Sequence, residues 1–172
     1  INLFYLLMYN KKNSRNQIYF NNSYIFINFE ESLVDGQKSQ EIVLNIIQKK
    51  YPNAFIKSGY HKEYDIEIPE IDQTIEVKKD FKSQETGNIV VEIEMGGKPS
   101  ALSTTTANWW VIHINPNELI WIPTETIKEM IEFEDLDTVE FTGKGDDVSK
   151  IAYLVPIKHF LLYCHKIQHI KL

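Results

Sequence analysis

Asp65, Glu76 and Lys78 bring two carboxylates and an amine into one short stretch of the chain. Glu76 and Lys78 are two residues apart. In an extended strand they share a face, about 6.6 Å apart along the chain. Asp65 sits in the preceding stretch of alternating apolar and polar residues, so a hairpin joining the two stretches brings it beside Glu76. Adjacent carboxylates repel unless a proton or a cation lies between them. A hard divalent ion such as Mg²⁺, or Mn²⁺ in its place, suits an all-oxygen site and keeps several of its waters. Such an ion acidifies a bound water and stabilises charge on a phosphoryl group. Lys78 could orient or deprotonate that water, or neutralise the phosphate as the bond breaks. A plainer alternative stays open, because Glu-x-Lys on the wet face of an amphipathic strand is an ordinary surface pattern.

The elements that must position these residues can be read from periodicity. Over Ser39 to Lys50 the apolar residues Ile42, Val43, Ile46 and Ile47 recur at helical spacing, and Tyr51-Pro52-Asn53 ends the helix. Ala54 to Ser58 reads as a short strand. Glu63 to Ile68, Thr74 to Lys79 and Asn88 to Met95 alternate with period two, which predicts a three-strand antiparallel meander. Its last strand points Ile89, Val91, Ile93 and Met95 inward and sets Glu92 and Glu94 together on the other face. Trp109 to Ile114 and Glu118 to Ile122 flank an Asn115-Pro116-Asn117 turn. A helix capped by Thr124 follows, then strand-like Thr138 to Thr142, a loop over Gly143 to Asp147, a strand over Ile151 to Val155 and a final helix from Ile157 to Lys166. Residues 1–36 read as an arm with a partial strand over Ser23 to Phe29, and 37–172 as the main domain. The pattern predicts an α/β fold with a mixed central β-sheet flanked by helices.

The ordered series around the three residues resembles the PD-(D/E)XK nuclease superfamily, and within it a branch borne by phages and bacteria. Its pattern is carried here by Glu76, Lys78 and Asp80; Thr86, Gly87, Asn88 and Glu92; Gly97, Lys98 and Ser100; and Thr105, Ala107, Asn108 and Trp110. The resemblance spans roughly residues 37 to 162. Tyr64 stands where the superfamily's name has proline, and Asn108 stands where the branch has aspartate. The resemblance implies a restriction-endonuclease-like core and a divalent-metal-dependent DNA endonuclease. It implies Asp65 and Glu76 as metal ligands, the Val77 carbonyl completing the shell, and Lys78 as the catalytic lysine. Many members add a glutamate from the first helix, and Glu41 is the acid within Ser39–Lys50; it reads equally as a solvent-facing helix residue. Many members are dimers, so a homodimer is one option.

Around the motif, Lys62, Lys79, Lys82 and Lys98 are candidate contacts to backbone phosphates. Ser100, within the hydroxyl-rich stretch to Thr106, could bind phosphate too, or simply belong to a Ser/Thr-rich loop. Of Trp109 and Trp110, one reads as core and one as a half-exposed ring. His113, His159, His165 and His169 lack a zinc-ligand spacing and read as surface residues, while Cys164 reads as core.

The 172 residues carry a net charge of −6, 43% hydrophobic residues and one cysteine. That composition excludes a polybasic DNA binder, a disulfide scaffold and a disordered chain. The charge is unevenly spread: residues 118–147 hold ten acids against Lys128 and Lys144, for −8, so the remainder sums to +2. Residues 1–29 and 148–172 contain no acid. DNA therefore stays open as a partner. No apolar run reaches the ~20 residues of a membrane helix, and Leu3 to Tyr9 makes a poor signal peptide. The chain reads as a cytoplasmic protein of a bacterial or phage-infected cell, with Met8 a candidate start. Two other functions fit the same pattern: a non-catalytic nucleic-acid-binding or assembly module on this fold, and an interaction protein using the acidic block.

Overall fold

The computed structural model describes residues 29–59, 61, 63–142 and 147–169. In chain order the elements are α1 (Phe29–Gln48), β1 (Phe55–Ile56), β2 (Ile66–Ile68), β3 (Gln73–Lys79), α2 (Ser83–Thr86), β4 (Asn88–Met95), β5 (Lys98–Pro99), β6 (Trp109–Asn115), β7 (Glu118–Pro123), α3 (Thr124–Phe133), β8 (Thr138–Phe141), β9 (Lys150–Pro156), α4 (Ile157–Tyr163) and β10 (Lys166–His169). Short 3₁₀ turns occupy Pro69–Ile71 and Ala101–Ser103. Among the described residues, one sheet runs β1-β2-β3-β6-β7-β10 and a second runs β5-β4-β9-β8. The first sheet is mixed: β3 and β6 are parallel and the other pairs antiparallel. The chain is thus a mixed α/β protein with a mixed central sheet.

Two cores lie on opposite faces of that sheet. On one face Val43 and Ile47 of α1 pack against Ile66, Ile75, Val77, Val111 and Leu119. On the other, Trp110, Ile112, Ile120 and Ile122 meet Ile89 and Val91 of the second sheet, Ile127 and Met130 of α3, and Phe160 of α4. Glu76 pairs in register with Trp110 and Lys78 with Ile112. Glu76 and Lys78 therefore face the second sheet, and Glu76 retains only 7% exposure.

The expected meander forms only in part. β2 and β3 pair antiparallel as expected. β4 leaves to build the second sheet, and β6 takes the free edge of β3. The composition of the strands explains the exchange. β6 is apolar almost throughout and is buried on both faces, as an interior strand requires. β4 alternates, burying Ile89 and Val91 while Val90 stays 38% exposed, which suits a sheet with one wet face. A bulge between Glu92 and Glu94 also breaks the even alternation expected there: Glu92 opposes Ala152 and Glu94 opposes Ile151, so the two acids are not a simple same-face pair.

Other expectations shift locally. Helix α1, Phe29–Gln48, runs through the expected boundary at residue 36–37. Thr124 is the first residue of α3, not its cap, and its hydroxyl donates to the Ala107 carbonyl at 2.6 Å. The last helix ends at Tyr163, and β10 follows. Most of the arm, including its expected partial strand, and most of the Gly143 to Asp147 loop lie outside the described residues. Among the described residues no helix is long and apolar enough to cross a membrane.

Candidate active site

The β2–β3 hairpin brings the three residues together. The Asp65 N–H donates to the Ile75 carbonyl at 2.9 Å. One step further along, the Asp65 side chain stands in for the backbone: its Oδ2 accepts the Val77 N–H at 2.7 Å. Its Oδ1 accepts from Gln40 Nε2 of α1 at 2.8 Å. Asp65 is thus fixed by two donors from two elements. Lys78 Nζ lies 2.6 Å from Glu76 Oε1 and 5.8 Å from the centre of the Trp110 ring.

The electrostatics follow from that packing. Burial, then the Glu76 carboxylate, pushes Asp65 from 3.8 up to about 6, against the pull of the Val77 N–H and Lys78. Burial alone would lower the pKa of Lys78. Glu76 foremost, with Asp65 and Glu92, outweighs it and raises the amine above its ordinary value. Lys78 is therefore held as an ammonium. Charge neutralisation and hydrogen bonding are the roles that fit an ammonium in this environment.

The remaining positions divide clearly. Val77 meets Asp65 through its N–H. Glu41 is exposed; its neighbour Gln40, about 100° round the helix, is the α1 residue that reaches Asp65. Asp80 is structural: Oδ1 accepts the Ser83 N–H at 3.1 Å and Oδ2 the Val90 N–H at 2.9 Å, joining the end of β3 to α2 and β4. Thr86-Gly87-Asn88 closes α2, with Gly87 at φ 74° as the left-handed cap. Asn108 supplies the oxygen its position needs, accepting the Thr74 N–H at 2.8 Å and the Thr74 hydroxyl at 3.0 Å. Lys82 and Lys98 are exposed, and Lys98 follows the two-residue Gly96-Gly97 turn, whose φ values of 59° and 75° suit a hairpin. Lys79 packs over the Phe81 ring, 4.5 Å from its centre. Lys62 lies outside the described residues. Ser100 is half-buried, and nearby Thr105 spends its hydroxyl on the Glu63 carbonyl at 2.7 Å. Trp110 is core and Trp109 half-buried, as expected.

His113 corrects the surface reading. It is 4% exposed, with Nδ1 2.9 Å from Ser39 Oγ of α1, and burial followed by Lys79 lowers its pKa. Its neighbours Ile112 and Ile114 already marked β6 as an interior strand, which was the available signal. Two further side chains went unread. Gln40 carried no charge to draw notice. Lys150 opens the otherwise apolar β9 and sits 3.6 Å from Glu92 Oε2, beside Lys78 in the space between the sheets.

Asp65 and Glu76 offer hard oxygen donors, which is the ligand chemistry of Mg²⁺ or Mn²⁺. Among the described residues, no group of three or more His, Cys, Asp or Glu side chains is placed to hold a metal. Two carboxylates with waters remain an accepted Mg²⁺ arrangement, and a cation beside them would relieve the repulsion that raises Asp65. No family model, curated protein or solved structure matches this chain.

Proposed function

We propose that the protein is a divalent-metal-dependent DNA endonuclease with a restriction-endonuclease-like core, hydrolysing phosphodiester bonds at Asp65, Glu76 and Lys78. The observation that carries this reading is the clustering of Asp65, buried Glu76 and Lys78 at the β2–β3 hairpin, with Lys78 Nζ 2.6 Å from Glu76 and Asp65 tied to the Val77 N–H. An ordinary wet Glu-x-Lys would not be buried to 7% exposure at Glu76 on an interior strand. Asp65 and Glu76 would hold Mg²⁺ or Mn²⁺, which when bound supplies an acidified water and charge stabilisation at phosphorus. Asp65 is kept in orientation by Gln40 and the Val77 N–H, the kind of outer support that ligating carboxylates need. Lys78, held protonated, stabilises the negative charge that builds on the phosphoryl oxygens. Cytoplasmic DNA is the substrate class, and a homodimer is compatible with it.

The test is incubation with supercoiled, linear, branched and single-stranded DNA in Mg²⁺, Mn²⁺ or Ca²⁺. Wild-type protein is expected to nick or cut at least one form in Mg²⁺ or Mn²⁺, with Asp65→Ala and Glu76→Ala folded but inactive. Cutting by either variant at the wild-type rate would overturn the assignment. Metal-independent binding without cleavage would instead favour a non-catalytic module.

A further inference from the structure

A cavity of about 240 Å³ opens between the two sheets beside the candidate site. Lys78 and Lys79 of β3, Glu92 of β4, Trp110 of β6 and Lys150 of β9 line it, with Asp80 at the turn after β3. Three lysines thus face two acids, and both carboxylate oxygens of Asp80 are already spent on backbone N–H groups. Glu92 lies between two amines: it pairs with Lys150 at 3.6 Å, and its charge is felt at Lys78. The Lys150 and Glu92 side chains are only 20% and 22% exposed. Amines from two sheets around one cavity match the chemistry of an oxyanion with several acceptor oxygens.

We propose that this cavity is a subsite for a second phosphate of the substrate backbone, adjacent to the reacting one, with Lys150 as its cation and Glu92 as the carboxylate that occupies Lys150 until substrate binds. The inference rests on the nuclease reading. The sheet carrying Lys78 thereby supplies the reacting site, and the second sheet supplies the grip on the neighbouring phosphate. In the free protein Glu92 occupies Lys150; with substrate bound, the 3.6 Å ion pair yields to a phosphate oxygen.

The experiment measures binding of a short fluorescein-labelled duplex in Ca²⁺ by anisotropy across a salt series, with single-turnover cleavage in Mg²⁺ and thermal melts alongside. Lys150→Gln is expected to weaken binding about tenfold and to lower the salt slope by about 1, as loss of one phosphate contact does. Lys150→Arg should restore most of the affinity. Glu92→Gln should tighten binding, because it removes a carboxylate from the phosphate's path. A merely structural ion pair would lower the melting temperature in both Lys150→Gln and Glu92→Gln and leave the salt slope alone. Unchanged affinity and slope across folded Lys150 variants, with a wild type that binds, overturn the subsite and leave the nuclease reading intact. A wild type that neither binds nor cuts any DNA overturns both.

Discussion

Asp65 has two anchors and a charged neighbour, and its protonation is set by that company. The folded chain holds the Asp65 proton more tightly than the unfolded chain does, with a pKa of about 6 against 3.8. A raised acid contributes stability that is fully present below pH 3.8 and lost as the pH passes about 6. In metal-free buffer the wild type should therefore lose stability between pH 4 and 7 relative to Asp65→Asn, whose amide oxygen can still accept the Val77 N–H. Added Mg²⁺ at pH 7.5 should raise the melting temperature of the wild type and leave Asp65→Asn unmoved. Parallel pH curves for the two proteins would remove Asp65 as the buried, raised carboxyl. The pairing of Asp65 with Glu76 was legible from residue type and spacing. Lys150 was not, because its partner Glu92 lies on another strand and nothing local links the two.

At the scale of elements, alternation told which residues of a strand turn inward, and it served well for the β2–β3 hairpin, where neighbours in sequence are neighbours in space. It could not say which sheet β4 joins, since a half-buried strand fits the edge of β3 and the side of β9 equally by pattern alone. Helix α1 shows a related limit. Its apolar stripe at Val43 and Ile47 fixes which face packs, yet one step of 100° separates Gln40, which holds Asp65, from exposed Glu41. Gln40→Ala is therefore expected to lower cleavage roughly 10-fold or more, the usual cost of losing an outer support at such a site. Glu41→Ala should leave the rate within about twofold. Single-turnover rates for the pair decide the point, and a larger loss at Glu41 would show that α1 approaches the site through a different turn.

For the molecule as a whole, one polar link between the two sheets near the site runs through a single side chain. Asp80 ties the end of β3 to the Val90 N–H of β4 and the Ser83 N–H of α2. Asp80→Ala takes the acceptor from the Val90 N–H and leaves the Ser83 N–H its longer bond to the residue-80 carbonyl; it is expected to cost ~1 kcal/mol, lowering the melting temperature by roughly 2–4 °C. Calorimetry on the two proteins measures it, and a shift under 1 °C would mean that apolar packing alone sets the spacing of the sheets. The same architecture has a consequence for synthesis. The hairpin contact from Val77 to Asp65 spans 12 residues, whereas Asn108 must travel 34 to reach Thr74. Strand β4 waits longer still, since Val91 pairs with Tyr153. At ordinary elongation rates that interval lasts roughly 3–12 s. During it the nascent chain presents the apolar side of β4 to solvent with no β9 to cover it, so the growing polypeptide passes through an aggregation-exposed window after the carboxylates have emerged and before the lysine that completes their surroundings has been translated.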